Sequence, residues 1–112
     1  AEALSDQLAD QKKPASECDV LINSTSIGMH PHEDALPIKA SLIAANHIVA
    51  DIVYNPRDTK LLRTAKEKGC KIVPGLGMLI YQGVAAFTLW TGINPPVEEM
   101  KAKVQQLMRQ KV

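Results

Sequence analysis

The chain has 112 residues, with 13 basic and 12 acidic side chains and a formal charge of +1. So even a balance creates no long-range field to hold a polyanion, which excludes nucleic acid and an anionic membrane surface as partners. With 46% hydrophobic and 22% charged residues, the composition is that of one packed globular domain rather than of a disordered chain.

Residue 1 is Ala rather than Met and no leader pattern follows it, so either processing or truncation accounts for the start. Residues 3–13 are polar with a thin apolar row at Leu4 and Leu8, which suits a short surface helix ended by Pro14. Asp19 to Asn23 is a short apolar run rich in β-branched residues that breaks into Ser24-Thr25-Ser26-Ile27-Gly28, the pattern of a buried strand entering a polar loop. His30, Pro31, His32 and Pro37 keep the stretch to Lys39 irregular, and residues 40–45 form at most a helical turn. His47 to Val53 reads as a second buried strand, stopped by Pro56.

Asp58 or Thr59 can cap a helix that runs to Lys68, with Leu61, Leu62 and Ala65 on one face and Gly69 as its left-handed stop. A third strand, Cys70 to Val73, follows at once. After Pro74 the apolar residues from Leu76 to Trp90 cover nearly the whole helical circumference, which predicts a helix buried on most sides, with Trp90 in core or interdomain packing. Gln82 and Gly83 interrupt this run, and it falls short of the roughly 20 residues of a membrane span. A last helix over 96–110 carries Val97, Met100, Val104, Leu107 and Met108 on one side, with Glu98 and Glu99 at its start and basic residues towards its end, as the helix dipole favours.

Apolar strands alternating with helices predict an α/β fold: about three parallel strands covered on both faces by flanking helices, plus a C-terminal amphipathic helix. A doubly wound dinucleotide-binding fold has two such halves, and residues 1–112 read as the second of them.

Cys18 and Cys70 lie far apart without CxxC or Cys/His spacing, so neither a disulfide framework nor a zinc site is expected, and a reducing, cytoplasmic setting suits them. His30, His32, Glu33 and Asp34 sit in a Pro-flanked loop with no further ligands at suggestive spacing, and read as solvated side chains. Gly75-x-Gly77 lies between a strand and a helix, but Ile80 stands where a third dinucleotide-binding glycine belongs, so it is not a pyrophosphate loop. Gln82, the one strongly polar residue in the body of its helix, is expected to be a buried amide that meets either a substrate group or a neighbouring backbone group.

Four blocks taken in order resemble the shikimate and quinate dehydrogenases: Ile22-Asn23-Ser24-Thr25-Ser26-Ile27-Gly28-Met29, Asp51-Ile52-Val53-Tyr54-Asn55-Pro56 with Thr59 and Leu62, Gly75-Leu76-Gly77-Met78-Leu79 with Gln82-Gly83, and Phe87 with Trp90-Thr91-Gly92. The resemblance covers about Asp19 to Pro95 and implies the carboxy-terminal portion of an NAD(P)-binding Rossmann-like domain. Such an enzyme moves hydride between NADP or NAD and the carbon bearing one hydroxyl of shikimate or quinate, a reaction of aromatic amino acid biosynthesis. The resemblance puts Asn23, Ser24, Thr25, Ile52, Gly75 and Met78 at the cofactor, and Tyr54 and Gln82 at the substrate. The family's catalytic Lys and Asp, on an amino-terminal domain, match no position here, nor does its glycine-rich phosphate loop.

Two readings follow. Either the chain is part of a two-domain oxidoreductase, inactive without the amino-terminal catalytic domain, or it is a free-standing nucleotide-binding or protein-interaction module. An unpaired strand edge and exposed helix faces predict self-association in both cases. NAD is not separated from NADP, nor shikimate from quinate.

Overall fold

The computed structural model describes residues 12–110, which divide after Gly75 into two compact units. The surface helix expected before Lys12 lies outside the described residues. In the first unit come helix α1 (Lys12–Glu17), strand β1 (Val20–Asn23), a 3-10 turn (Ala40–Leu42), strand β2 (Ile48–Asp51), helix α2 (Lys60–Glu67) and strand β3 (Lys71–Val73). The strands form one parallel sheet in the order β1-β2-β3, and helices flank it, as the alternation of elements predicts.

Pro14 does not end a helix but lies inside α1. β2 is shorter than its apolar run: Ile52 and Val53 leave the ladder after a last bond from the Ile52 N–H to the Asn23 carbonyl (3.1 Å).

Strand register sets the layers. Leu21, Val49 and Ile72 stand in one row across the sheet, and Ala15, Ile38, Ile43, Leu61, Leu62, Ala65 and Cys70 complete the core on that side. The opposite face carries Val20, Ile22, Ile48 and Val73, all exposed. The expectation of a sheet covered on both faces is therefore corrected. Elements α1, α2 and the 3-10 turn all feed the same core, and no described element of this unit covers the other side.

Three contacts fix the entry and exit of these elements. His47, almost fully buried, accepts from the Ala44 N–H through Nδ1 (2.9 Å) and donates from Nε2 to the Ala15 carbonyl (2.8 Å), tying α1 to the start of β2. The Lys68 ammonium donates to the carbonyls of Ala40 and Ile43, holding the 3-10 turn against the end of α2. Gly69 closes α2 with φ of 85°, which a side chain would resist.

The second unit consists of helix α3, which begins at Gly75 and runs to Thr91, and helix α4 (Val97–Gln110). The Pro96 carbonyl accepts the first bond of α4 from Met100 (3.0 Å), with Glu98 and Glu99 in its first turn and Arg109 in its last. The expectation of a largely buried α3 is overturned. Leu76 and Ile80 are buried, but Met78, Tyr81, Phe87 and Leu89 are exposed, and Trp90 is 83% exposed rather than in a core. A helix apolar all round needs neighbours on all sides, and this unit offers one helix.

Thr59 is the N-cap of α2 and is fully buried; its Oγ1 accepts from the Leu62 N–H (3.3 Å) and donates to Asp51 Oδ2 (2.8 Å). Thr59→Val keeps the shape and removes both bonds, and is expected to lower stability by about 1–3 kcal/mol. Urea unfolding of the two chains checks this; equal midpoints and slopes would contradict it.

Candidate functional site at the carboxyl edge of the sheet

β1 and β2 end side by side, with Asn23 opposite Asp51 in the ladder, and both side chains turn to the core side. Asp51 is only 3% exposed. A carboxylate taken from water needs strong donors in return, and Asp51 has three. Its Oδ1 accepts from Asn23 Nδ2 (3.1 Å) and from the Val53 N–H (3.0 Å), while Oδ2 accepts from Thr59. Among the described residues, no buried side-chain polar atom lacks a partner.

Asn23, also buried, organises the loop after β1. Its Oδ1 accepts from both the N–H (3.1 Å) and the Oγ1 (2.6 Å) of Thr25, and its Nδ2 donates to the Ile27 carbonyl (3.1 Å) as well as to Asp51. Thr25 Oγ1 in turn accepts from the Ile27 N–H (3.1 Å). The hydroxyl proton of Thr25 is thus held inside the loop, whereas Ser24 is exposed beside it.

Past β2 the chain carries half-buried Ile52 and then Tyr54, which is 42% exposed. Gly75 closes the edge from the end of β3. A Cβ built there would stand 2.6 Å from the Ile52 carbonyl oxygen and 2.7 Å from that of Asp51. The glycine is required because its own backbone is pressed onto that of Asp51 and Ile52. The structure thus gathers Asn23, Ser24, Thr25, Ile52, Tyr54 and Gly75 along one edge of the first unit.

Met78 and Gln82 lie in the second unit, four residues apart on one face of α3, and both are exposed. Gln82 is not the buried amide expected from its apolar setting; its Nε2 donates to the Leu79 carbonyl (2.9 Å) within its own helix. Two residues of this edge escape a reading aimed at ligand contacts, Asp51 and the hydroxyl of Thr59. The available signal is Asp51 itself, the one charge inside an apolar strand.

The remaining titratable groups offer no second centre. No group of three or more His, Cys, Asp or Glu among the described residues could hold a metal ion, and His30 pairs with Glu33 (2.8 Å) at the surface. Cys18 and Cys70 are both free thiols. Desolvation pushes the Cys18 thiol above its ordinary pKa, helped by the nearby Asp19 charge and partly offset by a backbone hydrogen bond. In the second unit Tyr81 and Glu98 hold the Lys101 ammonium above the usual lysine range, with Nζ 5.0 Å from the centre of the Tyr81 ring. No helix among the described residues is long and apolar enough to cross a membrane.

This edge has counterparts of known activity. Residues 75–105 match the model of the shikimate 5'-dehydrogenase C-terminal domain. Over 91% of its length the chain is 46% identical to the NADP(+)-dependent shikimate dehydrogenase of Methanosarcina mazei, of which it covers 36%. Over most of its length the chain is similar to the shikimate and quinate dehydrogenases. It spans about a third of the length of the curated relatives it matches. The family resemblance extends to three dimensions. The quinate dehydrogenase of Corynebacterium glutamicum in complex with NAD aligns with a TM-score of 0.76 at 35% identity, over 81% of this chain and 32% of that one. The shikimate 5-dehydrogenase of Listeria monocytogenes in complex with shikimate and NAD aligns equally well, with a TM-score of 0.76 at 37% identity over 83% and 32%. The three-stranded parallel sheet with its flanking helices is accordingly part of a Rossmann-like fold.

Gly75→Ala forces a methyl group against two backbone oxygens, one at the last residue of β2 and one just after it, rather than against a flexible side chain. The substitution is expected to cost about 1–3 kcal/mol and to shift the amide resonances of Ile52 and Val53. A thermal midpoint and spectrum matching the parent chain would contradict the close approach.

Proposed function

We propose that this chain is the carboxy-terminal, cofactor-facing part of a dehydrogenase that transfers hydride between NADP or NAD and shikimate or quinate. One observation carries the reading: a chain akin to these enzymes over nearly all its length closes its parallel sheet into an edge of glycine, small hydroxyls and saturated amides. Open α/β sheets bind their ligands outside the carboxyl ends of their strands. Residues 1–112 then form the last portion of the Rossmann-like domain, ending in the amphipathic helix.

The residues present suit a nicotinamide ring and its ribose. Ser24 offers a free hydroxyl, Ile52 a half-buried apolar side chain, Gly75 a backbone without a side chain, and Met78 an adaptable thioether. The nicotinamide cofactor, when bound, supplies or accepts the hydride. The family resemblance assigns Tyr54 and Gln82 to the cyclic polyhydroxy acid, through a phenol and an amide; in this chain the Gln82 amide donates to the Leu79 carbonyl of its own helix. We assign no catalytic residue to this chain. The acid–base pair for the reacting hydroxyl belongs to an amino-terminal domain, so the chain alone binds one side of the reaction and performs none of it. Two unpaired thiols fit a reducing compartment such as the cytoplasm.

The test is a chimera in which the amino-terminal part of the Methanosarcina mazei enzyme is joined to this chain. It should oxidise shikimate or quinate with NADP or NAD, whereas the chain alone should show no turnover. A folded chimera inactive with every pairing, or turnover by the chain alone, would overturn the reading.

The apolar sheet face of Val20, Ile22, Ile48 and Val73, together with the exposed Leu89 and Trp90, should drive the isolated chain to self-associate. Sedimentation at tens of micromolar, about the range in which such weak contacts form, should show species above monomer. A monomer throughout would refute this.

A further inference from the structure

We infer that Asp51 and Asn23 form a positioning pair: one carboxylate oxygen fixes the loop after β1 relative to the turn after β2, without either side chain touching a ligand. The inference deepens the dehydrogenase reading and rests on it for the kinetic part of the test.

The case begins with hydrogen-bonding capacity. A side-chain amide can donate two bonds and accept two. All four are used by Asn23: its Nδ2 donates to the Ile27 carbonyl and Asp51 Oδ1, and its Oδ1 accepts from the Thr25 N–H and Oγ1. Asn23 is also only 5% exposed. A ligand would find no polar group on it to bind without breaking one of these bonds. The same holds for the hydroxyl proton of Thr25, already given to Asn23.

Asp51 is arranged in the same way. Its Oδ1 accepts two donors that belong to different segments, Asn23 Nδ2 on the β1 side and the Val53 N–H on the β2 side. The next residue after Val53 is Tyr54, and the next after Asn23 is Ser24. A single oxygen thus sets the distance between the segment that offers a hydroxyl to the cofactor and the segment that offers a phenol to the substrate. A partner so buried does not yield to water, and sub-ångström errors at a reacting pair are costly.

The chemistry of Asp51 predicts which variants matter. Asp51→Asn keeps one carbonyl oxygen for Asn23 and Val53 and turns its amide nitrogen to Thr59, whose hydroxyl can reorient to accept. The bridge survives. Asp51→Ala removes it, and Asn23→Ala removes only the β1 branch.

In the active chimera, Asp51→Ala should raise KM for both cofactor and shikimate by about tenfold, the effect of losing one buried hydrogen bond. Asn23→Ala should raise KM for the cofactor alone by about the same factor, and Asp51→Asn should stay near the parent. In the chain by itself, with no ligand present, the Thr25 and Ile27 amides should exchange with solvent about tenfold faster in Asn23→Ala, which loss of a direct ligand contact would not cause. A folded Asp51→Ala with both KM values unchanged, or Asp51→Asn as impaired as Asp51→Ala, would overturn the bridge. If Asp51→Ala does not fold, unchanged Thr25 and Ile27 exchange in Asn23→Ala overturns it instead. An inactive parent chimera would sink the dehydrogenase reading; the exchange experiment would still decide whether Asn23 holds the loop.

Discussion

The buried carboxylate of Asp51 is the constraint on which the carboxyl edge of the sheet depends. It lies at the end of the central strand, where three segments meet that the backbone ladder no longer holds: the loop from Asn23, the turn from Ile52 to Tyr54, and the start of α2 at Thr59. A main-chain hydrogen bond joins two segments, but a carboxylate has lone pairs for several and strengthens each by its charge. The close seat of Gly75 on the carbonyls of Asp51 and Ile52 uses the same strand end from the other side. Moving Asp51 would disturb the loop, the turn, the helix cap and the seat of Gly75 together.

Much of the first unit was legible in the sequence because its signals are local. β-Branched runs give the three strands, Thr59 and Gly69 bracket α2, and prolines break the segment between β1 and β2. The errors have one physical origin. Hydrophobicity shows which residues gain by leaving water, but not whether the partner that would cover them lies within the chain. Val20, Ile22 and Val73 on the sheet, and Leu89 and Trp90 on α3, have the composition of buried positions and stand exposed.

The sequence shows where polar groups stand after β1 better than it shows what they bond to. Asn23 and Thr25 have polar side chains that suit either a ligand or the loop's own backbone. What they do with those groups depends on Asp51, twenty-eight residues after Asn23 in the chain, brought opposite it by parallel pairing. Gln82 shows the reverse. An amide in an apolar helix suggests burial, but the helix itself is uncovered and the amide bonds back to Leu79.

Stability alone does not account for an ionised side chain at position 51. Replacing a well-bonded buried charge network with apolar groups of the same volume is often neutral or even stabilising, because the desolvation of the charge is avoided. An apolar residue there would still pack beneath α2, but it could not direct the Asn23 amide, the Val53 N–H and the Thr59 hydroxyl towards one point. Apolar contact has no direction; a carboxylate oxygen shared by two donors has a fixed one. What the shared oxygen contributes is therefore placement. The loop bearing Ser24 and the turn bearing Tyr54 keep one separation whether or not anything lies between them.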